Sequence, residues 1–147
     1  MYRMWRAGVS LVAWYLIEDS GLSQAVGQSG LYFGEEDTER GPKPALAAFR
    51  FPFVGEVVNG KISVWGRTPW GKPGRVLVEE SQAGGWRRLG IVQTNGYGIF
   101  TQTFSAPRDK YVRARVLGKG GLAAPRFPLA GPSPLDIEGL KPFGSHP

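Results

Sequence analysis

The chain has 147 residues, enough for one ordinary domain with a fragment beside it and too few for two full-sized domains. It has no cysteine, which excludes disulfides, thiolate metal sites and thiol catalysis, and its 22 glycines and 12 prolines speak for many turns and few long helices. The net charge of +6 invites a nucleic-acid reading, but the basic residues from Arg75 to Arg126 stand mostly singly between apolar positions, as on solvated strand faces, and that reading is disfavoured.

At the start of the chain, "YRMWRAG" has the pattern of a helix end with Gly8 as its terminator. The following "VSLVAWYLI", residues 9–17, is apolar nearly throughout and predicts a parallel strand covered on both faces. It is too short for a membrane span of roughly 18 residues. No small-residue cleavage site follows it, so the chain shows neither a membrane segment nor a signal peptide. Glu18 and Asp19 come next. Neighbours on an extended chain point apart, so they read as loop solvation or caps rather than as an acid/base pair. The acidic "GEEDTER", residues 34–40, lacks the alternating ligands and central glycine of a calcium loop and reads as solvated.

In "PKPALAAFRFPF", residues 42–53, Pro44 suits a first helical turn, Ala45 to Ala48 favour helix, and Pro52 ends the run. The helix closes one structural unit and "FPFVGEV" hands over to the next. From residue 61 the pattern changes to short period-two segments between Gly/Pro turns: "KISVWGR", "RVLVEES", "WRRLGIVQ", "IFTQTFSA" and "YVRARVLG". In the last of these Val112, Ala114 and Val116 share one face, while Tyr111, Arg113 and Arg115 share the other, taken as the wet one. "TNGYG" supplies the glycines of a tight hairpin before Ile99, and "PRFPLA" adds an edge strand. After Ala130 periodicity is lost, which predicts a disordered tail. His146, the sole histidine, lies in that tail, so neither a Ser-His-Asp triad nor a histidine metal cluster can be assembled. "GKGGLA" lacks the spacing of a phosphate loop. No metal or cofactor is expected.

Taken together, "GVSLVAWYLIEDS", "SGLY" (Ser29, Gly30, Leu31, Tyr32) and the Lys43-Pro44-Ala45 helix with Ala48 and Phe49 resemble the C-terminal end of bacterial, cellulase-like (β/α)₈-barrel glycoside hydrolases. The resemblance covers about residues 2 to 80. It implies that residues 1–53 are a small α/β remnant of a barrel, its last strand and closing helix. It also implies that residues 54–130 are an appended antiparallel β-sandwich of the immunoglobulin or fibronectin kind, with residues 131–147 as the tail, in a mainly β chain. The family's two catalytic glutamates would lie on strands upstream of Met1, so no catalytic residue is expected here, and the parent protein would be secreted.

By the same resemblance Trp14 would floor a sugar subsite, with a core tryptophan as the competing reading. Among Trp65, Trp70 and Trp86, Trp70 in its Gly/Pro loop is the candidate to contact a polysaccharide. The function expected is that of a non-catalytic accessory piece. Its rivals are a carbohydrate or cell-surface binding module, and a small basic barrel whose Trp65, Trp86, Tyr97 and Phe100 stack the bases of a single-stranded nucleic acid.

Overall fold

The computed structural model describes residues 1–20, 29–34, 41–105, 107–118 and 120–129. The tail expected after Ala130, with His146, lies outside the described residues, as does all of the acidic loop except Gly34.

Two short helices precede the sheets. Helix α1 (Tyr2–Arg6) ends before Gly8, whose φ of +82° is the left-handed conformation expected of a terminator. Helix α2 (Pro44–Arg50) carries its proline in the first turn and stops at Phe51, the residue that Pro52 forces out of the α region.

Among the described residues seven strands follow: β1 (Phe53–Val58), β2 (Lys61–Arg67), β3 (Arg75–Gln82), β4 (Gly85–Gln93), β5 (Ile99–Phe104), β6 (Tyr111–Val116) and β7 (Phe127–Pro128). They form two antiparallel sheets, ordered β1-β2-β5 and β4-β3-β6-β7. The molecule is thus mainly β and built as an antiparallel sandwich. Asn59 and Gly60, with φ of 50° and 72°, make the two-residue turn joining β1 to β2, and both angles match the hairpin type whose twist suits the flanking strands.

The core lies between the sheets. Phe53, Ile62, Val64 and Phe100 from the first meet Val76, Val78, Val92, Val112, Ala114 and Val116 from the second, and Phe51 joins them ahead of β1. Gly66 lies opposite Phe100, and a Cβ there would come within 2.5 Å of the Phe100 ring, so the glycine lets that ring cross β2. The other face of β2 holds Trp65. Its ring is 5.4 Å from both Tyr2 and Trp5, so α1 lies over the outer face of the three-stranded sheet.

Two sequence expectations are corrected. "TNGYG" is not a hairpin: β4 and β5 belong to different sheets, and the turn carries the chain across the sandwich. Of its two glycines Gly98 meets a positive-φ requirement, with φ +73°, but that local need is the same for a crossover as for a hairpin. Residues 9–17 are not a buried strand. They have no strand partner among the described residues until Glu18, which bridges Tyr32 in parallel, and Leu11 and Tyr15 are 81% and 89% exposed. A strand needs a neighbour for its backbone groups, and none of the described residues supplies one there.

Candidate functional site

Asp19 organises the segment before α2. Its Oδ1 accepts hydrogen bonds from the Gly30 N–H at 2.9 Å and from Lys43 Nζ at 2.6 Å. Around it Leu31 and Tyr32 donate to the Ile17 carbonyl, Asp19 donates to that of Tyr32, and Lys43 donates through its backbone to that of Leu31. Gly30 presses so close that a Cβ would fall 2.5 Å from the Asp19 nitrogen. One carboxylate thereby ties the chain leaving residue 17 to "SGLY" and to the start of α2. The hydrogen bond from Lys43 holds the Asp19 carboxyl below its ordinary value; burial opposes this, and Gly30 adds to it.

A carboxyl with a depressed folded pKa contributes stability that is complete above its ordinary value and lost as pH falls through the folded one. Protection of the Gly30 amide from hydrogen exchange is therefore expected to fall on acidification below about pH 4, and Asp19→Asn should show the loosened state at neutral pH. Unchanged protection in the variant would remove Asp19 from this role.

Trp14 stands at the same joint. Its indole N–H donates to the Ser29 carbonyl at 3.0 Å, and its ring meets Phe49 of α2 edge-on at 5.4 Å. At 44% exposed it is not a core tryptophan, and Val9, Leu11, Tyr15 and Ile17 in the same segment are exposed as well. Beyond α2, Leu46, Ala47 and Phe51 with Leu122 and Ala123 line a groove of about 440 Å³.

Trp70 lies in a different neighbourhood, the end of the sandwich where the 68–74 and 94–98 loops meet. The Thr68 N–H donates to the Gly98 carbonyl, Gly74 donates to Thr94 Oγ1, and Thr94 donates to the Gly74 carbonyl. Asn95 Oδ1 accepts from the backbone of Tyr97 and Ile99, and Arg67 Nε reaches the Tyr97 carbonyl. These bonds stitch two loops into one, leaving Trp70 54% and Tyr97 73% exposed. Tyr97 was expected to stack bases together with Trp65, Trp86 and Phe100, and of those four it is the one that stands fully in the open. The signal that pairs it with Trp70 is that each sits beside glycine in a loop, where an aromatic side chain has no strand face to bury against.

Trp65 and Trp86 are otherwise employed. Trp65 is buried beneath α1, and the Arg113 guanidinium covers Trp86 at 4.1 Å from the ring centre. Arg113 also donates to Glu79 at 2.9 Å, and Arg115 pairs with the same carboxylate at 3.8 Å. The arginines of β6 are thus half-buried partners of Glu79 rather than solvated charges. The next residue, Glu80, faces inward and is fully buried. Arg87 pairs with its Oε2, while the backbone N–H groups of Arg108 and Asp109 donate to Oε1. Sequence reasoning missed both glutamates. The available signal was two adjacent carboxylates interrupting the apolar run of "RVLVEES" opposite strands rich in arginine.

Among the described residues no group of three or more His, Asp or Glu side chains is arranged to hold a metal ion, and no helix is long and apolar enough to cross a membrane. Comparison with family models, with curated proteins and with solved structures finds nothing that matches this chain.

Proposed function

We propose that this chain is the non-catalytic C-terminal part of a glycoside-hydrolase-like protein. Residues 9–50 close a barrel supplied by upstream sequence, and the sandwich from Phe53 onward is a structural accessory domain. The observation that carries this reading is the exposure of five large apolar side chains within nine residues, Val9, Leu11, Trp14, Tyr15 and Ile17, between 44% and 89% exposed. Such a concentration of exposed apolar side chains marks a contact with another protein element. Because the segment has no strand partner among the described residues before Glu18, flanking barrel strands would cover its side chains and pair its backbone together. The Asp19 tie supports the reading too, since it fixes "SGLY" and the closing helix around the end of that segment.

For the sandwich, the sorting of seven strands into sheets of three and four supports an immunoglobulin or fibronectin kind of domain. It departs from the constant-type arrangement in that β4 pairs with β3 rather than joining the first sheet, and without cysteine it has no inter-sheet disulfide. The nucleic-acid barrel loses support from the geometry: Phe100 is 2% exposed and Trp65 4%, so neither ring offers a face to a base.

The test lies upstream. The DNA preceding Met1 is expected to encode about 250 to 300 residues of alternating apolar strands and amphipathic helices, with two glutamates at strand ends. A stop codon directly upstream, with no barrel in any frame, would overturn the reading. The chain alone is expected to turn over neither aryl glycosides nor soluble polysaccharides, because Asp19 is held by Lys43 and Glu18, its neighbour in sequence, makes no natural acid/base pair with it. Hydrolysis abolished by Glu18→Gln would show the opposite.

A further inference from the structure

The end of the sandwich where the 68–74 and 94–98 loops meet has three properties together. It exposes two large aromatic side chains, Trp70 and Tyr97, at 54% and 73%. Its backbone is fixed by hydrogen bonds between the loops and by the Asn95 side chain, so the rings ride on a set frame. Its charge has one sign: "RTPWGKPGR" and "QTNGYGI" contain Arg67, Lys72 and Arg75 and no acidic residue, and all three cations are exposed. Elsewhere on the sandwich the exposed aromatic surface is covered, Trp65 by α1 and Trp86 by Arg113.

We propose that this loop end binds a uronate-bearing polysaccharide, with Trp70 and Tyr97 stacking on the apolar faces of sugar rings and Arg67, Lys72 and Arg75 taking the carboxylates. The proposal deepens the reading of the sandwich as an accessory domain and rests on that reading only for the sugar class. An aromatic ring presents a flat apolar face that matches the C–H face of a pyranose, and a fixed frame spares the ordering cost that a mobile loop would add. Cations beside such rings select a ligand that alternates apolar faces with negative charge. A single-stranded nucleic acid has the same two attributes, but its binding sites line a basic groove that follows the backbone past successive stacking rings. Here two rings stand on the tips of adjoining loops.

Two close approaches hold the frame. A Cβ on Gly98 would strike Thr68 Oγ1 and come within 3.0 Å of the Gly71 Cα, and Gly98 has φ +73°. A Cβ on Gly71, at φ +57°, would come within 2.8 Å of the Arg67 guanidinium. Gly98 is therefore needed to seat the loops against each other, while Gly71 is needed for its left-handed φ, since the Arg67 guanidinium can swing aside.

The experiment is affinity electrophoresis of the 147-residue chain through gels containing polygalacturonate, a neutral β-glucan or no polymer, with oligo(dT) binding measured by tryptophan fluorescence. Retardation by polygalacturonate is expected, weakened at least tenfold in apparent affinity by Trp70→Ala and by Tyr97→Ala, and weakened by added salt. Because both side chains are exposed, the variants should keep the parent's thermal midpoint, which separates lost binding from lost folding. Gly98→Ala should weaken binding without removing either ring. Four results would each overturn the proposal: no retardation, retardation indifferent to both aromatic variants, equal retardation by the neutral glucan, or tighter binding to oligo(dT). An upstream barrel found without polysaccharide binding would leave the parent reading standing and this one fallen; binding without a barrel would do the reverse.

Discussion

Replacing Glu80 with alanine is expected to destabilise the sandwich by about 3 to 5 kcal/mol, the range for breaking one side of a buried charged pair. Glu80 is completely buried at the end of β3, and its two oxygens serve three donors: Arg87 on one, and the backbone N–H groups of Arg108 and Asp109 on the other. Alanine leaves those two N–H groups without their acceptor at the turn into β6, and each unsatisfied buried donor costs about 1 to 3 kcal/mol. For a sandwich of this size the thermal midpoint should drop by roughly 15 °C or more. Glu80→Gln keeps an acceptor for the two N–H groups and should lose less. Arg87→Ala should also cost less than Glu80→Ala, because the carboxylate keeps its backbone donors and Arg87 is itself 34% exposed. Equal effects from all three variants would show that charge, rather than the anchoring of the turn, is what Glu80 supplies.

Trp65→Ala is expected to cost about 3 to 5 kcal/mol as well, the usual range for truncating a buried tryptophan, and to release α1. The ring packs against both Tyr2 and Trp5 on the outer face of the three-stranded sheet, so its loss removes the surface that α1 covers without opening the space between the sheets. Proteolysis within residues 1–8 should therefore accelerate while the sandwich stays folded. Trp65→Phe should be far milder. The Trp65 Nε1–H is buried without a hydrogen-bond partner, so phenylalanine loses ring area and sheds an unsatisfied donor in the same step. If α1 stayed protected in Trp65→Ala, the aromatic cluster would not be what holds it.

Much of the sandwich was legible because its strands announce themselves locally. Val112, Ala114 and Val116 alternate with longer polar side chains, and the structure buries all three. The two helices were legible for the same reason: Pro44 and Gly8 act on the backbone of their own neighbourhood. What the sequence hid is what depends on distant partners. "FPFVGEV" reads only as the hand-over into the sandwich, with no strand assigned to it, yet it carries β1, and its Gly55 admits Val112 from the opposite sheet, whose Cγ2 would lie 2.7 Å from a Cβ. Residues 9–17 have the composition of a buried strand and lack the neighbours that would make them one. Trp70 is legible through its loop and Tyr97 as an aromatic candidate, whereas their neighbourhood is visible only where the two loops meet.

The order of the strands also sets a clock. The β1–β2 and β3–β4 hairpins join segments next to each other in the chain, so each can form early by closing a short turn. The β2–β5 and β3–β6 ladders, Ile62 with Phe104 and Val76 with Val116, must wait for far larger loops to close. Folding dominated by such distant pairings is slow, on the order of milliseconds to seconds. In that interval the edges of both hairpins stand open. In the finished molecule one sheet edge is β7, two residues long and ending in Pro128, which has no N–H to offer a second chain.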